Sequence, residues 1–189
     1  TRSVKRARAL RGQVLQQTRR AFAWARVAQR PTFTLDSVLV IDPKLKRALG
    51  QAAKGVEVVA ARHDGVTRAY TSHWVTQVSF EEPIVMASVS PKHDTYPLMV
   101  ASGAFTTSFL AGDQVHIGQY FSYPGRKFHY IANEYLIDEN GHPVVRDCLA
   151  WVHAEIFDSK TMADHELLFA RVTDYGYGRL KDRSEEHTS

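Results

Sequence analysis

Short apolar runs, each closed by a turn signal after about ten residues, fill the chain from Asp42 to Leu180. That rhythm constrains the fold more than any other feature. "VEVVAAR" reads as a valine-rich strand, and "HDGV" supplies an Asp-Gly hairpin signal into "TRAYTSHW". "VTQVSF" and "PIVMASVS" are two more short strands, with Glu81, Glu82 and Pro83 turning between them. "AFTTSFLA" reads as a strand, "NEYLIDENGHPVVRD" as a hairpin around Asn140-Gly141, and "CLAWVHAEIFD" and "ELLFARVTDYG" as long strands with apolar alternation. Helical pieces are brief. "DPKLKRALGQAAKG" opens on a capping Asp42 with Pro43 at the first position and closes at Gly55. "DTYPLMVASG" allows one or two turns, and "AGDQVHIGQYFS" reads as a surface helix. The fold class that follows is mainly β with short helices, in a small β-barrel. No apolar run approaches the ~18 residues that cross a bilayer.

Charge is unevenly spread. The formal net charge of the 189 residues is +4. Residues 1–30 hold nine Arg and Lys and no acid, whereas the remainder holds fifteen basic and twenty acidic residues. The strand-rich body is therefore mildly acidic, and the high pI is no argument that it binds nucleic acid. Residues 1–40 are read as a basic extension: disordered, targeting, or foreign to the domain. "RSEEHTS", residues 183–189, reads as translated adapter sequence and is expected to be a non-native tail. The domain proper is assigned to 41–182. The expected location is cytoplasmic, or organellar if the front extension is a transit peptide. Cys148 is the only cysteine, and no closed zinc pattern occurs.

The stretch "SVSPKHDTYPLMVASGAF" carries the chemistry. Hydroxyls and cations end a strand just before a helix begins. Ser88, Ser90, Lys92, His93 and Thr95 are the types that bind a phosphate: hydroxyls and backbone N–H groups at a strand end, strengthened by charge. Asp94 or Thr95 can cap the turn, whose first N–H groups favour anions. The same pattern is also ordinary punctuation with no ligand at all. There is no GxGxxG turn, nucleophile triad or carboxylate pair.

The order of motifs resembles the flavin-reductase-like family. In sequence come "RALGQAAKGVEVVAAR", "AYTSHWVTQVSFEEPIVMASV", "SPKHDTYPLMVASGAF", "LAGDQ", "GRKF", "LAWVHAEI" and "ADHELLFARV". The resemblance implies an FMN-binding split barrel and a homodimer, with FMN near the subunit interface. It implies reduction of flavin by NADH or NADPH, with a monooxygenase as possible partner, and no nucleic acid or membrane. Ser90, His93 and Thr95, helped by Lys92, are then the phosphate ligands. Ser88 and Val89 face the ribityl chain and ring edge. Tyr70, Thr71, Ser72, His73 and Trp74 cover the ring system, partly through backbone N–H groups. His165 is the catalytic candidate, approaching the nicotinamide or the flavin edge. Phe128, in the "GRKF" loop, covers the pocket. His73 and His93 stand where the family has small residues, and Ala163 replaces a family glycine. Two rivals remain open at this point: a flavin carrier without turnover, and an RNA-binding barrel using the basic front.

Overall fold

The computed structural model describes residues 42–122 and 134–179. These fall into two units. Helix α1 (Pro43–Leu49) belongs to a unit ending at Gln51, and all strands and the other helices belong to a unit beginning at Ala52. The Asp42 carboxylate accepts the Lys44 N–H at 2.9 Å, with Pro43 at the first helical position. The helix stops at Leu49 with Gly50 as its cap, six residues before the expected Gly55. A glycine costs a short exposed helix about 1 kcal/mol, and no residue of α1 is buried to offset it.

Among the described residues of the second unit, nine strands follow the expected order. They are β1 (Glu57–His63), β2 (Val66–Ser72), β3 (Val75–Gln77), β4 (Ile84–Val89), β5 (Ala104–Phe109), β6 (Leu136–Glu139), β7 (His142–Val145), β8 (Ala150–Met162) and β9 (His165–Tyr177). Seven form one antiparallel sheet in the order β2-β1-β5-β8-β9-β4-β3, and β6 pairs with β7. The architecture is mainly β, a split barrel. Asp64 and Gly65 take φ of 47° and 76°, and Asn140 and Gly141 take 53° and 86°. Two successive left-handed residues are what a two-residue hairpin turn requires. The register of β8 on β9 shifts after His153 and after Ile156, and such bulges bend long strands.

Helix α2 (Thr95–Ser102) covers one face of the sheet and packs mainly on β1. Its Met99 packs there with Val59, Tyr70, Ala87, Phe105, Ala154 and Leu168. On the opposite face, the β6–β7 hairpin and helix α3 (Val115–Ser122) pack Val58, Ile117, Phe121, Val144, Val145 and Trp151. The five residues Glu57–Ala61 are buried in succession because β1 is covered on both faces. Burying each of its valines contributes about 1.5–3 kcal/mol. Helix α3 is thus not the plain surface helix expected, since Ile117, Gly118 and Phe121 are buried. Asp94 precedes α2 but makes no side-chain cap bond. Its φ and ψ of −63° and −18° are already helical, whereas a capping side chain needs extended backbone. Gly103, at φ 69°, closes α2 by donating to the Met99 carbonyl at 3.0 Å. Among the described residues no helix is long and apolar enough to cross a membrane.

Candidate functional site

Strand register assembles the candidate residues. Val75 pairs with Ala87, so Trp74 falls beside Ser88, whose N–H donates to the Trp74 carbonyl at 2.9 Å. Val89 pairs with Glu166, so Ser90 falls beside His165. Three segments therefore meet at one rim: the end of β2 through Trp74, the end of β4 running into α2, and the start of β9. Side chains tie them together. The Tyr70 ring stacks on His93 at 4.6 Å, and Trp74 meets His165 edge-on at 4.9 Å. His73 in turn lies edge-on to Trp74 at 5.4 Å.

Polar groups at this rim form a short turn. The His93 N–H donates to the Ser90 carbonyl at 3.0 Å, and the Lys92 N–H points at the Ser90 hydroxyl at 3.4 Å. Lys92 is exposed, Ser90 and His93 are half-buried, and Thr95 is buried. Burial, then the neighbouring His165, holds the His93 imidazole below its ordinary 6.5, while Asp94 pulls the other way. His93 is therefore neutral at pH 7, and formal positive charge at this turn rests on Lys92. The His165 Nδ1 lies 2.9 Å from the exposed Asp164 carboxylate. Ala163, just before, takes φ 53°, the left-handed region that glycine favours.

Other expected residues are placed differently. The Thr71 hydroxyl donates to the Gly118 carbonyl at 2.6 Å, on the hairpin face and away from the rim. Ser72 is buried and accepts the Trp74 N–H at 3.1 Å. The Val89 side chain is in the core, so its contribution to a ligand is backbone. Trp74 is 44% exposed and His73 is exposed, leaving a flat aromatic surface open at the rim. Lys54 extends over the same indole at 5.5 Å. Phe128 and the "GRKF" loop lie outside the described residues, as do the front extension and the tail.

Two residues were not singled out by sequence reasoning. Glu57 is 4% exposed, and burial raises its carboxyl to about 7 against a weaker opposing bond from its own N–H. Thr107 is fully buried with a hydroxyl that lacks a partner among the described residues. The available signal for Glu57 was one acid within the apolar run "VEVVAAR".

The rim suits a mononucleotide with a flat ring. Hydroxyls, turn amides and a lysine stand at one end, and exposed aromatics at the other. A family profile described as "Flavin reductase like domain" matches residues 49–186. The chain belongs to the flavin-reductase-like family. A relative in Thermus thermophilus, the reductase component of 4-hydroxyphenylacetate 3-monooxygenase, is 37% identical over 133 residues, covering 70% of this chain and 83% of that protein. The NADH-dependent flavin reductase StyB of Pseudomonas fluorescens is 27% identical, with 77% and 85% covered. The chain spans 44% of a probable flavin reductase of Rhizobium meliloti, at 28% identity over 72% of its own length. Among solved structures, the styrene monooxygenase flavin reductase from Pseudomonas putida S12 superposes with TM-score 0.65 at 25% identity, covering 71% of this chain and 85% of that one. In this family member the register brings Trp74, Ser88–Lys92 and His165 to one rim.

Proposed function

We propose that this chain binds FMN at the rim and directs a hydride from NADH or NADPH to it, as a homodimer that supplies reduced flavin to a partner monooxygenase. The observation that carries the reading is the convergence of Trp74, Ser88–His93 and His165 through the β3–β4–β9 register. The partner in this proposal follows from relatives named as reductase components of monooxygenases.

The chain's own residues do little acid–base work. Bound flavin supplies the two-electron acceptor chemistry. Ser90, the turn amides and Lys92 fix the phosphate end. Trp74 and the backbone of Thr71–His73 fix the ring plane. His165 stands at the open edge and orients the incoming nicotinamide so that the reacting atoms approach to about 3–3.5 Å.

The test is anaerobic mixing of the FMN-loaded protein with each donor. Rapid loss of the flavin band near ~450 nm is expected with at least one of them. Persistence of the band with both NADH and NADPH overturns the enzymatic reading and leaves a flavin carrier.

A further inference from the structure

Three buried side-chain oxygens lack a hydrogen-bond partner among the described residues: Glu57 Oε2, Tyr70 Oη and Thr107 Oγ1. All three lie on the α2 face of adjacent strands β1, β2 and β5. Glu57 is opposite Ser72 on one side and Phe109 on the other, and Val59 is opposite Tyr70 and Thr107. Paired residues share a face, so Tyr70 and Thr107 flank Glu57 on the two diagonals, at about 7–8 Å between backbones. The carboxyl folds back beside Gly55, where an added Cβ would meet Oε1 at 2.6 Å. The Ser72 hydroxyl lies beside Tyr70 but outside hydrogen-bond geometry.

Buried polar atoms are nearly always paired, and orphans cost about 1–3 kcal/mol each. Three together on one face mark a place kept for something other than stability. These three sit directly behind the rim. Tyr70 stacks on His93, and Ser72, paired with Glu57 across the strands, accepts the Trp74 N–H. We propose that Glu57 is a positioning residue of the flavin pocket: uncharged, it holds the Tyr70–Trp74 segment in its binding shape, and ionisation loosens that hold. This rests on the flavin reading above.

Ionisable groups on the packed elements are few. Strand β2 brings Arg68 and Tyr70, α2 brings Tyr96 with Asp94 and His93 ahead of it, and β5 brings none. On the hairpin face are His142 of β7 and His116 of α3, and Arg62, His63 and Lys54 lie along the chain from Glu57. Of these only Tyr70 is coupled to Glu57, and burial dominates the carboxyl. The neutral acid can stay in this apolar interior without a bare charge. The anion cannot, and charge in an apolar interior draws in water.

The experiment is an FMN titration of flavin-free protein, followed by fluorescence quenching between pH 6 and pH 8, on wild type and Glu57→Gln. The FMN phosphate titrates near pH ~6 in both proteins, so the difference between them is the reading. Wild type is expected to weaken by about fivefold or more across this range beyond what Glu57→Gln shows. Difference infrared spectra of wild type are expected to lose a protonated-carboxyl band over the same range, and Glu57→Gln to lack it. Should Glu57→Gln fail to fold, Tyr70→Phe serves, and its pH midpoint for FMN affinity is expected to move. Parallel pH curves for wild type and Glu57→Gln, or an unmoved midpoint in Tyr70→Phe, overturn this inference and leave the flavin reading standing. Absence of FMN binding at every pH overturns both.

Discussion

On the hairpin face of β1, β2 and β5, polar side chains are matched. Thr71 donates to Gly118, Ser108 accepts the Val145 N–H at 3.0 Å, and Thr106 lies 3.0 Å from His153 Nδ1. One residue along each strand, on the α2 face, Tyr70, Glu57 and Thr107 have oxygens with no partner among the described residues. Each face also holds a titratable group, half-buried His153 on one and buried Glu57 on the other. His153 is stacked on His142 at 3.7 Å, and burial followed by that neighbour lowers it to about 4. Glu57 is raised to about 7 by burial. The same sheet thus has a finished side, which holds the fold, and an unfinished side that backs the rim. Satisfied polar groups specify structure, while unsatisfied ones accumulate where a ligand or a proton has work to do.

The largest expected effect is on the finished side. Trp151→Ala empties a nearly buried site in the hairpin-face cluster and is expected to cost about 3–5 kcal/mol by chemical denaturation. The FMN affinity of the remaining folded protein is expected to stay within about twofold, since Trp151 touches nothing at the rim. A large loss of affinity would erase the distinction between the faces.

Next are two opposed pH slopes. A carboxyl raised from 4.5 to about 7 binds a proton in the folded state that the unfolded chain has released. Stability therefore falls as pH rises through that window, by at most about 3 kcal/mol. A histidine lowered from 6.5 to about 4 does the reverse, and stability falls as pH drops through its window. Glu57→Gln is expected to remove the first slope and His153→Gln the second, read as denaturation midpoints from pH 4.5 to pH 7. If one substitution flattens both slopes, the two faces are not independent.

Smaller effects come from single hydrogen bonds. Ser90→Ala is expected to weaken FMN by about fivefold, the loss of ~1 kcal/mol, and to leave riboflavin unchanged. Equal weakening of both would remove Ser90 from the phosphate end. Smallest is Thr71→Val, expected to cost ~0.5–1 kcal/mol of stability through the lost Gly118 bond, with FMN affinity unaltered. A drop in affinity instead would return the Thr71 side chain to the rim.

Most of the strand order was legible because turn chemistry is local. Asp64-Gly65 and Asn140-Gly141 announce their hairpins in two residues each. The rim was legible as a set of residue types at the end of β4. What no local pattern conveys is which face a side chain takes once strands pair. Thr71 and Ser72 are neighbours in sequence, yet register sends the first hydroxyl to α3 and the second to the rim side. Register also decided the fate of Glu57: alternation in "VEVVAAR" is hidden because both faces of β1 are covered, so nothing in the run marks the side its acid takes. The early stop of α1 at Gly50 had the opposite cause, an exposed helix with only propensity to sustain it.

Isothermal titration of the folded, flavin-free protein with FMN tests most directly whether the unfinished face backs a mononucleotide site. One saturable event per chain is expected, weakened in Ser90→Ala and intact in Trp151→Ala. No heat and no saturation in protein whose circular dichroism shows the sheet intact would contradict it.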